Sequence, residues 1–343
     1  MERMVSSAKF LIRGKIVAVM VCMSLAVALL SFGVCRAADE YPAKPILIVV
    51  PFAPGGGADM TVRNLDKIAT ELKVFPHRFV IENKVGGSGV VGRTYAREKP
   101  ADGYTLVVCE DSTLYADLLG NAPWSYKDFT YVVNLVRDYN MIVVRADSPY
   151  KTIKELIGEA KKKPKSIKVG GTGVGGADIA QLARFSKAGG GEYNYISFDS
   201  GGQVMTNLLG GHVDAAMANP SEAYEQMRAG KVRSLGISSP DRMAFNDPPM
   251  FKDIPTWKES GINLTVAQWR GIGGPPGMKK EHVNWLITAF KKITDSKEWK
   301  EGYLNKFQQI NAFVGGADFQ KEVDKEYELS REIFKELGML KKK

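Results

Sequence analysis

Four times along this chain of 343 residues, a strand-like run ends in a glycine turn that opens a helical stretch: at Pro54–Gly57, Gly86–Gly89, Gly171–Gly176 and Ser200–Gly202. Pro45–Phe52 (PILIVVPF) is too apolar and β-branched for a half-exposed strand. It reads as a strand buried on both faces of a parallel sheet. A helix is expected to Leu72, a strand at Phe79–Glu82, a helix to Arg97, a strand at Tyr104–Cys109 and a helix at Leu114–Leu119. Such alternation predicts an α/β lobe on a mostly parallel sheet. Two β-rich runs within Tyr131–Arg145, parted by Arg137–Asn140, read as the passage to a second lobe. There the alternation restarts, with helices at Thr152–Lys162, Asp178–Lys187 and Val204–Gly210, and strands at Ser166–Gly170, Tyr193–Phe198, Val213–Met217 and Val232–Ser238. Leu264–Trp269 reads as the return crossing, and helices at Lys280–Lys292 and Ala317–Leu337 close the chain. The expected division is 38–142 with 268–343 as one lobe and 143–267 as the other.

In open α/β sheets, ligands bind beyond the carboxyl ends of the strands. Amides at a helix start lack partners and carry partial positive charge, and glycine lets a ligand approach that backbone closely. One such turn is ordinary punctuation. Four of them, two per lobe, predict a shared cleft that holds an anion without any lysine.

The first 37 residues are of another kind. Arg3, Lys9, Arg13 and Lys15 precede the apolar run Ile16–Val34, and Ala37 and Ala38 follow. That order is a secretory signal peptide, so export to the periplasm is expected. The alternative is a permanent span, since about 20 apolar residues cross a bilayer; the small-residue site that follows at once favours cleavage. A lipid anchor at Cys35 is disfavoured, because Val34 before it is not small. Removing 37 residues leaves 306, which suits two lobes of ordinary size. Of the three cysteines only Cys109 then remains, so no internal disulfide is expected. Losing five basic residues and one acidic residue lowers the formal charge from +9 to +5, a balance that mildly favours anions. No basic block interleaves with aromatics, which argues against nucleic acid as a partner.

Two motifs invite an enzyme reading. Gly171-x-Gly173-x-x-Gly176, with Asp199 downstream, has the form of a dinucleotide fingerprint, and Gly87-x-x-x-x-Gly92-Arg93-Thr94 that of a P-loop. The first lobe has no matching fingerprint after its first strand, and the P-loop lysine is replaced by arginine. The three histidines, His77, His212 and His282, form no metal-ligand spacing, and no Gly-x-Ser-x-Gly elbow occurs. Ser88 and Ser200 read as hydroxyl donors to a ligand rather than nucleophiles. No cofactor, metal or catalytic activity is expected.

At these turns the chain resembles a known family. Tyr41-Pro-x-Lys-Pro45, Ile48-Val-Val-Pro-Phe-x-Pro-Gly-Gly-Gly57, Val80-Ile-Glu-Asn-Lys84, Gly86-Gly-Ser-Gly89, Ala101-Asp-Gly-Tyr-Thr-Leu106, Gly210-Gly-His-Val-Asp214 and Ala229-Gly-Lys-Val-Arg233 stand in order along the chain. The set is similar to the substrate-binding proteins of tripartite tricarboxylate transporters, the Bug-type periplasmic receptors. The resemblance implies an α/β, type II periplasmic-binding-protein fold, with two lobes, two crossovers and a cleft that shuts around a small carboxylate. It implies partners too, a membrane complex of one large and one small subunit, with the receptor itself a monomer. For ligand contacts it points to Phe52, Ala53, Gly55, Gly56, Gly57 and Asp59, with Ser88, Ser112 and Thr113, in the first lobe. In the second lobe it points to Thr172, Gly173, Val174, Gly175, Asp178, Ser200 and Gly201.

Departures from the family pattern bear on the ligand. Phe198-Asp199-Ser200-Gly201-Gly202 stands where many members have Tyr-Lys-Gly-Gly, Ile179 replaces a common His, and Glu110 and Asp111 bring acid to a cleft loop. These permit a ligand with an apolar body or an amino group as well as a di- or tricarboxylate or an aromatic acid. Tyr115, Trp124 and Trp269 are candidates either for an aromatic-tolerant pocket or for core packing. Two further readings stay open: a sensory receptor of the same fold, and an exported dehydrogenase-like enzyme using the Gly171 turn.

Overall fold

The chain enters its first strand as soon as the β-branched run begins. β1 (Leu47–Val50) leads to α1 (Gly57–Glu71), β2 (Val80–Asn83), α2 (Val90–Arg97), β3 (Thr105–Glu110), α3 (Asp111–Leu118) and β4 (Thr130–Tyr139). The second lobe follows with β5 (Met141–Arg145), α4 (Ile153–Lys162), β6 (Lys168–Thr172), α5 (Ala177–Gly189), β7 (Asn194–Phe198), α6 (Gly201–Leu209), β8 (Ala215–Ala218), α7 (Pro220–Arg228) and β9 (Val232–Ile237). β10 (Ala267–Gly274), α8 (Lys280–Asp295), a π-helical stretch (Glu298–Asn305), β11 (Ile310–Gly315) and α9 (Gly316–Glu336) complete the first lobe. This computed structural model describes residues 41–173, 176–243, 251–336 and 338–341. The expected signal segment, with Cys22 and Cys35, lies outside the described residues. Lys44–Lys343 form one compact unit, and all that follows lies within it. No helix among the described residues is long and apolar enough to cross a membrane.

Local chemistry accounts for the elements. Three of the four residues of β1 are fully buried. α1 buries Val62, Leu65, Ile68 and Ala69 at helical spacing and turns Arg63 and Lys67 outward. α4 starts where Thr152 Oγ1 accepts the Glu155 N–H at 3.2 Å and ends in Lys161 and Lys162, the charge favoured at a carboxyl end.

Among the described residues, one sheet orders its strands β11-β4-β10-β3-β1-β2 and the other β7-β6-β8-β5-β9. β1 pairs parallel with β2 and β3, and β6 with β7 and β8. β10 runs antiparallel to β3 and β4, β11 to β4, and β5 to β8 and β9. Both sheets are therefore mixed, against the expectation of mostly parallel ones. The strands that carry the chain between lobes enter from the opposite end, and a pattern of strand–helix alternation carries no sign of direction. β4 also persists to Tyr139, so the break at the crossing is the single residue Asn140.

Each lobe has its own core. Val49, Val107, Tyr115, Trp124, Trp269 and Phe319 pack in the first, which settles those three aromatic candidates as core. Ile142, Leu156, Phe185, Met217 and Trp257 pack in the second. Trp257 has no exposed surface and meets the Phe185 ring edge-on, centroids 5.0 Å apart. Replacing it with alanine is expected to destabilise the protein by about 3–5 kcal/mol. Urea unfolding measures this, and an unchanged midpoint would contradict the packing described.

Candidate functional site

The glycine turns of the two lobes meet. A Cβ on Gly56 would lie 3.5 Å from both the Gly201 nitrogen and Ser200 Cβ. The Ala53 N–H donates to the Asp199 carbonyl at 3.4 Å, and a Cβ on Gly173 would strike the Ser88 side chain. Between the turns is a cavity of about 40 Å³, room for a few waters. Its wall takes in Phe52, Gly56, Gly57 and Ser112 from the first lobe and Thr172, Asp178, Ser200 and Gly201 from the second. Ala53, Gly55, Asp59, Ser88, Thr113 and Gly173, also expected there, stand outside that wall. Val174 and Gly175 lie outside the described residues.

Asp59 is engaged within its own lobe. Its carboxylate accepts from the Gly55 N–H at 3.0 Å, Arg63 Nε at 2.8 Å and Asn83 Nδ2 at 3.0 Å. Burial opposes its charge, but those donors outweigh it and hold the carboxyl below its ordinary value.

The wall also holds residues that the sequence reading did not select, Asn219, Glu222, Gln268 and Arg270; of the two acids it expected on a cleft loop, Glu110 is in the wall and Asp111 is not. Arg270 sits on β10, opposite Glu110 on β3 in the antiparallel register, and is 3% exposed. Its Nη1 donates to Asp138, and its Nη2 donates to Asn219 Oδ1 at 2.8 Å across the lobes. Its Nε lies 3.7 Å from Glu110 Oε2 and, though buried, makes no hydrogen bond. Burial works against this charge; the carboxylates of Asp138, Glu110 and Glu222 outweigh it and keep the guanidinium protonated. A Cβ on Gly57 would overlap that guanidinium, so packing already requires glycine at the third position of the first turn.

Glu222 occupies the meeting point. One oxygen accepts the Gly57 N–H, at the start of α1, at 3.1 Å; the other accepts the Asn219 N–H at 3.0 Å. A Cβ on Gly201 would overlap the same carboxyl. A carboxylate of the second lobe thus rests between the glycine turns of both. Asp178, at the start of α5, accepts the Thr172 N–H at 2.7 Å and Asn140 Nδ2 at 3.0 Å. Glu110 accepts from Ser112 Oγ at 3.0 Å, and Arg93, fully buried behind it, donates to the same hydroxyl at 2.8 Å.

The family model described as "Tripartite tricarboxylate transporter family receptor" matches residues 65–339, most of the chain. The chain belongs to this receptor family. A similar protein is the UPF0065 protein in the gbd 5′ region of Cupriavidus necator, 28% identical over 305 residues, which cover 89% of this chain and 90% of the relative. The solved periplasmic binding protein BugD is 26% identical with a TM-score of 0.80, over 88% of this chain and all of that one. The R. palustris protein Rpa4515, solved with adipate, is 25% identical with a TM-score of 0.81, over 87% and 99%. The receptor has the two-lobed α/β architecture of periplasmic binding proteins, with its cleft at the carboxyl ends of the central strands.

Of the missed groups, Glu222 had a legible signal. Asn219-Pro220-Ser221-Glu222 is an N-cap, a proline at the first helical position and a glutamate at the third, the mark of a helix start. Arg270 had none beyond a lone charge in the apolar run Trp269–Gly274.

Burial, and next the charge of Glu222, push the Asp178 carboxyl from 3.8 up to about 7, against its hydrogen bonds from Thr172 and Asn140. The neutral form is the one the fold prefers. Its stabilisation is complete below pH ~4, is lost as pH rises toward about 7, and changes no further above that. The receptor is therefore expected to lose stability relative to Asp178→Asn across that window, by at most about 1.4 kcal/mol per pH unit. Urea unfolding of both proteins from pH 4 to 8 measures it, and parallel profiles would contradict the assignment.

Proposed function

We propose that this receptor captures a small carboxylate in the periplasm by closing its lobes and delivers it to the membrane subunits, large and small, of a tripartite tricarboxylate transporter. The observation that carries this reading is the convergence of glycine turns from both lobes, Gly56–Gly57 and Ser200–Gly201, on one cavity. A guest that touches both turns favours the closed form, and only such a preference shifts the equilibrium between open and closed. The adipate in the related Rpa4515 structure supports an acid of this size. Export by a signal removed after Ala37, and lobes divided as 38–142 with 268–343 and 143–267, belong to the same proposal. The passage between sheets at Asn140 and the start of β10 at Ala267 support that division. Binding by Phe52, Gly56, Gly57, Ser112, Thr172, Asp178, Ser200 and Gly201 follows from their place in the wall. Ala53, Gly55, Asp59, Ser88, Thr113 and Gly173 would act by shaping the turns. Catalysis has no part in the proposal.

Gly56→Leu is the direct test. Its Cβ finds ordinary room, but the atoms beyond it would run into Ser200 and Gly201 and hold the lobes apart. Calorimetric affinity for whichever of a panel of small carboxylates the wild type binds should fall at least about tenfold, with the unfolding midpoint kept. Affinity equal to wild type would remove the first turn from the site.

A further inference from the structure

The cavity wall is acidic where a carboxylate receptor has least reason to be. Glu110, Asp178 and Glu222 all line it, and Arg270 is the one cationic side chain in that wall among the described residues. Arg270 is itself bonded to Asp138, a further carboxylate just behind. Arg93 adds one more charge beside Glu110, 3.6 Å away. Carboxylates thus outnumber guanidinium groups four to two, and three to two if Asp178 holds its proton. These acids are fixed. Glu222 is held by two backbone amides, Asp178 by Thr172 and Asn140, and Glu110 by Ser112. They cannot swing aside at no expense when a guest arrives. No three His, Cys, Asp or Glu side chains among the described residues are grouped to hold a metal ion, so the balancing charge falls to the guest. Among the buried side-chain donors of that wall, one is without a hydrogen-bond partner and so open to an anion: the Nε of Arg270.

From this arrangement we infer that the guest is a zwitterion, one carboxylate with a protonated amine, rather than a di- or tricarboxylate. Its carboxylate meets Arg270 Nε, and its ammonium lies against Asp178 and Glu222. A second carboxylate in place of the ammonium would face fixed like charges in a site with little water, where such repulsion is several-fold stronger than in bulk solvent. The inference rests on the carboxylate-capture reading and narrows it.

Matched four-carbon acids, with six-carbon adipate beside them, separate the cases. Titration calorimetry on the full-length protein would use butyrate, succinate, adipate, and 2-, 3- and 4-aminobutanoate. At least one aminobutanoate should bind about tenfold or more tighter than butyrate, succinate and adipate. Glu222→Gln should reduce that preference, read as the ratio of aminobutanoate to butyrate affinity in the same variant, to about threefold or less; Asp178→Asn is the second variant should Glu222→Gln unfold. If butyrate, succinate or adipate binds as tightly as every aminobutanoate, or if neither variant alters the preference, the inference is overturned while carboxylate capture stands. If none of the six binds, carboxylate capture falls and the inference with it.

Discussion

A guanidinium buried at the mouth of the first sheet governs much of this molecule. Taking an arginine out of water is expensive unless nearly every N–H finds an acceptor. Its Nε apart, Arg270 meets that demand by drawing on Asp138 from β4, Asn219 from the second lobe and, at 3.4 Å, Gln268 from its own strand. Asp138 in turn accepts from Asn219 Nδ2 at 3.0 Å and Gln309 Nε2 at 3.1 Å. One carboxylate therefore gathers the outgoing strand, the returning strand, the start of α7 and the segment before β11. Asn219 also donates to Asn140 Oδ1 at 2.8 Å, at the crossing between sheets. Networks of this kind strengthen when complete and fail when one member is missing. The crossing between the sheets and the floor of the cleft are thus one set of hydrogen bonds.

That network revises the simplest electrostatic picture of the cleft. Bare helix starts offer an anion several amides and a partial positive charge. Here the chain supplies its own acids to those starts. The Gly55 amide goes to Asp59, the Gly57 amide to Glu222 and the Thr172 amide to Asp178. A lobe that closes without a guest would otherwise leave polar backbone both dry and unpaired. Satisfying those amides internally avoids that penalty, and it leaves a ring of acceptors where a ring of donors was expected.

Much of the architecture was legible because it rests on local signals. The apolar β-branched run at Leu47–Val50, the glycine turns and the amphipathic spacing of α1 each report their element directly. Eight of the expected contacts fall in the cavity wall, since glycine turns mark the carboxyl ends of strands. What escaped depends on pairing at a distance. β11 and the antiparallel sense of β10 follow from register with β4, which no short window contains. Arg270 faces Glu110 because the strands align that way, although 160 positions of chain separate 110 from 270. Glu222 lay in a helix whose start was written plainly as Asn-Pro-x-Glu, so its omission reflects an unread capping signal rather than an absent one.

Glu222 also bears on the balance between open and closed forms. Its bond to the Gly57 amide joins the lobes with no guest taking part, and a charge-assisted hydrogen bond of that kind is worth about 1.5–3 kcal/mol. A guest that must expel the glutamate to reach the amide forfeits that contribution and gains only the difference between two similar carboxylates. A guest that leaves it in place and adds an opposite charge beside it keeps the inter-lobe bond and strengthens the wall. Because closure responds only to the difference a ligand makes between the two forms, the same side chain penalises one class of guest and rewards the other.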